Sequence, residues 1–106
     1  MTPEQENQIP AAPEQNHEIT AVIDAADIHT RDELHDMLSG TLCLPSWYGR
    51  NLDALYDCLS SSPAEIHLCV RHPDALRRTF GAYAETFFTL LRRVETENPR
   101  FHLSLE

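Results

Sequence analysis

The segment from Leu44 to Leu59, LPSWYGRNLDALYDCL, is the most informative stretch of this chain and decides how the rest is arranged. Its first half contains a proline, two large aromatic residues and a glycine, which is typical of a turn. Asn51 is a good N-cap for a helix, and Leu52, Leu55 and Leu59 recur at the helical period. The segment therefore predicts a loop that leads into a short helix with one apolar face.

The same helix carries two acids, Asp53 and Asp57, on a different face. Like charges four residues apart repel and cost an isolated helix about 0.2–0.5 kcal/mol, and no Lys or Arg follows within the helix to relieve them. The ordinary interpretation is a solvated acidic face, because charged residues are mostly exposed. Here Trp47, Tyr48 and Tyr56 lie close to the acids, and interface anchors are enriched in Tyr and Trp. The combination favours a binding surface.

The pattern LPxxYGxNLDALxDCL resembles the barstar family, small proteins that inhibit secreted microbial ribonucleases inside the cell that makes them. The match is dense from Leu44 to Leu59 and looser but collinear from about Ile19 to Leu105, and it does not cover the first 17 residues. The resemblance implies a barstar-like domain over residues 18–106 that is an inhibitor without a cofactor and not an enzyme.

In that family a loop and a helix plug the active site of the ribonuclease, so the resemblance implies the same role for this segment. The acid that matches Asp57 takes the place of a substrate phosphate, and the acid that matches Asp53 supports it. A site built to bind anionic RNA attracts fixed carboxylates, and charge complementarity speeds encounter. The residues predicted to bind the partner are Trp47, Tyr48, Gly49, Asn51, Asp53, Tyr56 and Asp57.

Three positions depart from the family's pattern. A tryptophan stands where a second tyrosine is frequent, a tyrosine where a tryptophan is usual, and a cation where an acid or neutral residue is expected; they are Trp47, Tyr56 and Arg50. The family's further acid on its last long helix falls near Arg93 here, with Glu95 and Glu97 close by. These differences leave open which ribonuclease is the target and which glutamate replaces the further acid.

The composition agrees with a protein partner of basic character. At 106 residues the chain is one domain that can bury a core without metal or disulfide. It has 8 basic and 17 acidic residues and a formal charge of −9. Nucleic acid and anionic membrane surfaces demand Lys and Arg, so neither is expected as a direct partner. We expect a monomer that binds a basic microbial ribonuclease or ribonuclease toxin.

The cysteines and the N-terminus indicate a compartment. Cys43, Cys58 and Cys69 are odd in number, without C-x-x-C spacing, and each is flanked by leucine or valine. They predict buried thiols in a reducing environment. The N-terminus lacks the basic and apolar regions of a signal peptide, and the longest apolar runs are too short to span a bilayer. We therefore expect a soluble cytoplasmic protein.

The first part of the chain predicts a tail, a strand and a helix. Residues 1–17 contain three prolines among Glu, Gln and Asn, with almost no apolar content, which predicts a disordered tail. Glu18 to Asp24 is predicted as a largely buried strand. Thr30 and Glu33 form a predicted capping box at the start of a helix, and Gly40 is predicted to end that helix.

The second half predicts two more strands around a helical region. Glu65 to Val70 alternates as a strand does, and Pro73 fits the first turn of the next helix. Gly81 is a point at which this region can divide into two helices. Asn98-Pro99 ends it, and Arg100 to Leu105 forms the third strand. The order β-α-α-β-α(α)-β favours an α/β fold, a small three-stranded parallel sheet packed with helices and joined by right-handed crossovers.

Other chemistry receives less support from the sequence. Asp53 and Asp57 could form an acid/base pair, but such carboxylates normally face each other across a cleft, whereas these project from one turn of one helix. Cys58 lies near the apolar face of its helix, which favours burial over nucleophilic chemistry. His67 and His102 lie on separate predicted strands and could approach each other, but the histidines show no metal-binding spacing and no metal site is predicted.

Three hypotheses therefore follow, in order of support. The first is a ribonuclease inhibitor of the barstar kind, an immunity protein or antitoxin that acts by steric and electrostatic occlusion. The second is a protein-interaction module that keeps the fold but binds a partner other than a ribonuclease. The third and weakest is a small hydrolase that uses Asp53 and Asp57.

Overall fold

A three-stranded parallel sheet organises the protein. A computed structural model describes residues 18–106, so the predicted disordered tail, residues 1–17, lies outside the described residues. The strands are β1 (Glu18–Asp24), β2 (Glu65–Arg71) and β3 (Phe101–Leu105). They lie in the order β1-β2-β3, and both neighbouring pairs are parallel. The predicted α/β fold with a small three-stranded parallel sheet is confirmed.

The helices lie in the connections between the strands. They are the short 3₁₀ helix Ala25–Asp27, α1 (Arg31–Thr41), α2 (Leu52–Ser60), α3 (Pro73–Phe80) and α4 (Ala82–Glu97). The helix α1 packs on β1, α4 packs on β3, and α4 also contacts α2 and α3. Among residues 18–106, no helix is long and apolar enough to cross a membrane.

The predicted helix boundaries are largely confirmed. The Thr30 hydroxyl accepts the Glu33 N–H at 3.1 Å, and the Glu33 carboxylate accepts the Thr30 N–H at 3.3 Å, which completes the capping box. Pro73 occupies the first turn of α3. Gly81 has a positive φ of 57° and separates α3 from α4. The helix α4 ends before the Asn98-Pro99 pair, as the restriction on residues before proline predicts.

The prediction that Gly40 ends α1 is wrong. Gly40 lies inside the helix, which continues to Thr41. The left-handed residue that ends it is Cys43, with a φ of 56°. The next N–H, that of Leu44, donates to the Ser39 carbonyl at 3.1 Å, which is the longer hydrogen bond of a Schellman motif. A non-glycine residue in this conformation costs about 1–2 kcal/mol, and the turn that starts the loop before α2 contains this strain.

The two faces of the sheet differ. One face carries the buried strand residues that form the core with the helices, and they are Ala21, Ile23, Ile66, Leu68, Val70 and Phe101. The alternate residues point to the other face, which is exposed or half-exposed: Val22 is 51% exposed, and His67 and His102 both retain 44% of their side-chain surface. Within residues 18–106, the helices therefore cover one face of the sheet and leave the other open to solvent.

The prediction of three buried thiols is wrong in part. All three cysteines are free, but Cys43 is exposed, and Cys58 and Cys69 are only partly buried. Cys43 lies on a turn whose neighbour Leu42 points inward instead. Cys69 alternates with the core residues of β2 and so faces the open side of the sheet. Burial raises the pKa of both Cys58 and Cys69, which disfavours the nucleophilic thiolate form.

We propose that residues 18–106 fold without the preceding tail. A variant that lacks residues 1–16 is expected to melt within about 3 °C of the full chain, because the tail contains few apolar residues to bury and surface changes cost little. Thermal melts followed by circular dichroism measure this. A variant that also lacks β1 is the control and is expected not to fold. A clear loss of stability in the shorter truncation would place the tail in the domain.

Candidate binding surface

The loop before α2 and the first turn of α2 form one hydrogen-bonded unit. The Tyr48 N–H donates to the Pro45 carbonyl at 3.0 Å and closes the turn. The Asn51 side chain accepts the Ala54 N–H at 2.8 Å and donates to the Gly49 carbonyl at 3.1 Å. A Cβ on Gly49 would lie 3.3 Å from Ala54 Cβ and from Asn51 Nδ2. The predicted N-cap is confirmed, and Gly49 permits its close approach to the loop.

A second asparagine holds the other end of α2. Asn98 is 6% exposed, and its amide Nδ2 donates to the Leu59 carbonyl at 2.9 Å. Its Oδ1 accepts the Arg100 N–H at 3.0 Å. The last carbonyls of a helix have no partner within the helix, so Asn98 satisfies one of them from the turn that leads into β3. The helix α2 is thus fixed at both ends by amide side chains.

The two aspartates of α2 point to solvent. Leu55 and Leu59 are fully buried on the opposite face of the helix, and Asp53 and Asp57 are exposed. Within residues 18–106, neither carboxylate has an ion-pair partner or a side-chain hydrogen bond. The predicted acidic face is therefore present, and its charge is not neutralised inside the described part of the protein.

Trp47 is the most exposed large apolar side chain of this surface. It is 77% exposed and borders, with Leu44 and Pro45, a shallow groove of about 340 Å³ beside Cys58. An indole ring left in water presents a large apolar area and an N–H donor. Trp47 therefore has the properties of an interface anchor, and its groove lies beside Cys58 and Ser61, near the C-terminal end of α2.

Tyr48 is buried beneath the loop and is not exposed on the surface that a partner would contact. It is 6% exposed, and its hydroxyl lies 2.6 Å from Nδ1 of His35. The other ring nitrogen, Nε2, lies 2.8 Å from the Tyr83 hydroxyl. This chain of side chains joins the loop to α1 and α4. Tyr48 therefore supports the loop from within rather than presenting itself on its surface.

The imidazole of His35, between the two tyrosines, is buried, and its surroundings favour the uncharged form. His35 is 2% exposed, and burial, followed by the positive charge of Arg50, lowers its pKa. Burial also raises the pKa of Tyr48 and of Tyr83. A phenol can donate or accept, so each tautomer of the neutral imidazole has both nitrogens satisfied.

Tyr56 faces α4 rather than the open surface. Its hydroxyl donates to the carboxylate of Glu97, and this hydrogen bond lowers the pKa of Glu97. Arg93 donates to the same carboxylate at 3.0 Å and lies 5.0 Å from the centre of the Tyr56 ring. Glu95 instead accepts the Leu103 N–H at 3.1 Å. Both glutamates left open by the sequence are therefore engaged by neighbouring residues.

Arg50, the unexpected cation of the loop, turns toward α1. Its Nη1 lies 2.8 Å from the Asp36 carboxylate, and its Nη2 donates to the Asp32 carbonyl at 3.0 Å. The hydrogen bond with Asp36 raises the pKa of Arg50. The two aspartates thus offset a positive charge that would otherwise lie beside Asp53. Their spacing of four residues on one helix was a signal available in the sequence.

Sequence reasoning missed several residues that shape the surface, namely His35, Tyr83, Asn98, Asp32 and Asp36. His35 lies in a helix that was predicted from its capping box, yet its contacts come from positions 13 and 48 residues away in the chain. Asn98 was interpreted only as a helix stop. Contacts at such separations follow from the packing of the helices and have no local pattern.

Comparison with known proteins assigns the chain to a family. The family model described as "Barstar (barnase inhibitor)" matches residues 19–106, so the chain belongs to the barstar family. It is also similar to "Putative ribonuclease inhibitor YrdF" of Bacillus subtilis (strain 168), with 32% identity over 77 residues, which are 72% of this chain and 85% of the relative. The resemblance found in the LPxxYGxNLDALxDCL segment is confirmed, and both descriptions name inhibitors rather than enzymes.

The buried His35 predicts a pH-dependent loss of stability. Its pKa lies below the ordinary imidazole value of 6.5, so the unfolded chain binds this proton more readily than the folded one. The stability that the neutral His35 contributes to the folded state is therefore complete above pH 6.5. It is lost as the pH falls below 6.5 toward the lowered pKa. We expect the free energy of unfolding to fall less between pH 7.5 and pH 5 in His35→Gln than in the wild type.

Urea unfolding at both pH values measures this difference. For each protein, the free energy of unfolding at pH 5 is compared with its own value at pH 7.5. The packing lost in His35→Gln is the same at both pH values and therefore cancels. Identical pH profiles for the two proteins would show that His35 titrates alike in the folded and unfolded states.

Proposed function

We propose that this protein inhibits a basic microbial ribonuclease by covering its active site with the inhibitory surface, defined here as Trp47, Asp53 and Asp57. The observation that carries the proposal is the pair of exposed aspartates without a cationic partner in residues 18–106, on the helix that follows a loop whose tryptophan is 77% exposed. In a chain of the barstar family, this combination fits a cationic, RNA-binding site. The action is occlusion and includes no chemical step.

The charge of the surface supports binding to a site made for RNA. Asp57 would meet the cations that otherwise hold a substrate phosphate, and Asp53, one turn away, would support it. In the free protein both carboxylates are hydrated, so they reduce the stability of the fold only slightly. On binding they would exchange water for charged hydrogen bonds, which are shorter and stronger than neutral ones. The formal charge of −9 adds long-range attraction to a basic enzyme.

The rigidity of the surface supports tight binding. The loop is fixed by the Tyr48–His35–Tyr83 hydrogen bonds, and α2 is fixed by Asn51 and Asn98. A surface that is already ordered loses less conformational freedom on association. We therefore propose that Tyr48, Gly49 and Asn51 act by positioning Trp47 and the two aspartates, and that Tyr56 positions α2 against α4.

The two other hypotheses receive less support. For hydrolysis, Asp53 and Asp57 would have to face each other across a substrate, and they lie side by side on one exposed helix face. For a different protein partner, the same surface could serve, and only a binding assay separates the two. A ribonuclease inhibitor is preferred because both descriptions of similar proteins name that activity.

We also propose that the protein acts as a monomeric immunity protein or antitoxin in the cytoplasm of the cell that makes the ribonuclease. All three cysteines are free, and Cys43 is exposed. Free thiols persist in a reducing compartment, whereas secreted proteins form disulfides. This location is where an inhibitor would protect the cell's own RNA.

Replacing Asp57 by alanine is expected to separate function from stability. Asp57→Ala should leave the free energy of unfolding unchanged or slightly higher, because it removes a repulsion of about 0.2–0.5 kcal/mol and alanine is a better helix former. Inhibition should weaken by about 100-fold or more, because a buried cation loses its counter-charge at a cost of roughly 2–5 kcal/mol. This magnitude comes from charge pairs between barnase and barstar. The exposed position of Asp57 supports effects of opposite sign on stability and on inhibition.

The measurements are thermal melts and inhibition titrations against barnase and against any secreted ribonuclease encoded beside this gene. Asp27→Ala is the matched control, since it removes the same charge from an exposed position outside α2, and it should inhibit like the wild type. If Asp57→Ala melts several degrees lower yet inhibits normally, Asp57 serves the fold and the proposed function loses its main support. Failure of the wild type to inhibit any ribonuclease favours another partner.

Association with the ribonuclease is expected to slow strongly as salt is added. Exposed charges steer encounter and are screened over about 8–10 Å at physiological ionic strength. Stopped-flow measurements from low to high salt should show a falling association rate and a nearly constant dissociation rate. The Asp27→Ala variant should retain most of this dependence, because it changes the formal charge only from −9 to −8. An association rate that does not change with salt would contradict electrostatic steering.

A further inference from the structure

The open face of the sheet carries a cluster of histidines and glutamates that the inhibitory surface does not use. His67 on β2 and His102 on β3 are opposite each other in the register of the parallel pair. Their rings stack with centroids 4.6 Å apart and planes at 17°. Glu65 lies two residues before His67 and therefore on the same face, and Glu18 of β1 is opposite Glu65. Four metal-ligating side chains thus meet across three strands.

The carboxylates contact the imidazoles directly. The Oε2 atom of Glu65 lies 2.5 Å from Nε2 of His102, and the Oε2 atom of Glu18 lies 3.0 Å from Nε2 of His67. One ligand atom from each of Glu65, His67 and His102 lies within 4.8 Å of the other two. These three side chains retain between 42% and 44% of their surface, so an ion can reach them and they have room to adjust.

We propose that Glu65, His67 and His102 bind a divalent metal ion of the zinc class on the open face of the sheet. Two imidazoles and one carboxylate are a ligand set that zinc uses, with a fourth position for water. Bonds of about 2.0–2.2 Å in a tetrahedral site place donor atoms roughly 3.3–3.6 Å apart. The longest separations, up to 4.8 Å, must therefore shorten by roughly 1 Å, and the 2.5 Å contact between Glu65 and His102 must lengthen by a similar amount. Small side-chain rotations of half-exposed residues supply both changes.

Glu18 has a supporting role in this site. Metal-ligating histidines commonly donate their second nitrogen to a carboxylate, which fixes the ring. Glu18 is already within hydrogen-bond distance of His67 and can orient it in that way. The ion would bind between His102 and Glu65, whose side chains now contact each other directly. Because its ligands come from β2 and β3, the ion would join the two strands.

The alternative to a metal site is two ordinary ion pairs, which would produce the same contacts without any ion. Exposed ion pairs contribute little to stability, and they predict no response to zinc. A bound ion instead stabilises the folded state, by an amount that grows with the logarithm of its concentration above the dissociation constant. A direct titration with zinc therefore distinguishes a metal site from side-chain pairs without an ion. This test does not depend on the proposed function.

The test is a calorimetric titration of the full chain with ZnCl2, in a Cys43→Ser background that removes the exposed thiol as a competing ligand. We expect a 1:1 complex, and thermal melts should rise by about 5 °C or more when zinc is well above its dissociation constant. His67→Gln and His102→Gln should each weaken binding by at least about tenfold. His29→Gln is the control, since His29 is an exposed histidine outside the cluster, and it should bind zinc like the parent.

Absence of binding, or equal affinity in the parent, His67→Gln and His102→Gln, would overturn the proposal. Equal weakening in His29→Gln would also overturn it, because binding would then be spread over the surface histidines. Far-UV circular dichroism and thermal melts without zinc verify that each variant is folded. If a histidine variant fails to fold, Glu65→Gln replaces it: its amide can still contact His102 but is a poor zinc ligand, so retained affinity there would overturn the proposal.

Discussion

The buried imidazole of His35 is the contact on which the geometry of the binding surface depends. It lies between two phenols, 2.6 Å from Tyr48 and 2.8 Å from Tyr83, and so connects the loop, α1 and α4. A buried polar group without partners costs about 1–3 kcal/mol, so the three side chains are stable in the core only together. The loop that carries Trp47 would lack its internal anchor if any of them were lost. The exposed, charged surface is thus held by a small, neutral and fully satisfied network underneath it.

The one-sided covering of the sheet gives the protein two separate surfaces. The helices cover the face that contains Ile23, Leu68 and Phe101, and α2 presents its acids on the outside of that layer. The opposite face carries the His67–His102 cluster and is not covered by any helix of residues 18–106. A partner that covers α2 would not need to approach this cluster. The helices with the acidic face and the His67–His102 cluster lie on opposite sides of the sheet, so the proposed inhibition and the proposed ion site would not compete.

Much of the fold could be predicted from the sequence because its signals are local. The capping box of Thr30 and Glu33, the cap at Asn51 and the helix break at Gly81 each involve residues within a few positions of one another. The end of α1 was predicted wrongly, because glycine at position 40 is the usual signal and the structure instead places Cys43 in the left-handed conformation. The burial of Tyr48 and the role of Asn98 could not be predicted, since their partners lie 13 and 39 residues away. Exposure of Asp53, Asp57 and Trp47 followed from helix periodicity and turn composition.

The departures from the family's pattern have compensations that leave the acidic face intact. Arg50 would place a positive charge next to Asp53, but Asp36 and Asp32 of α1 bind its guanidinium. At the second departure, Tyr56 donates its hydroxyl to Glu97, and Arg93 donates to the same carboxylate. Glu97 is therefore not a free acid. The negative charge available to a partner is therefore concentrated on Asp53 and Asp57 rather than spread over α4. A ribonuclease that binds as proposed would need its cations within reach of one turn of one helix, which is a narrower requirement than a uniformly acidic surface would impose.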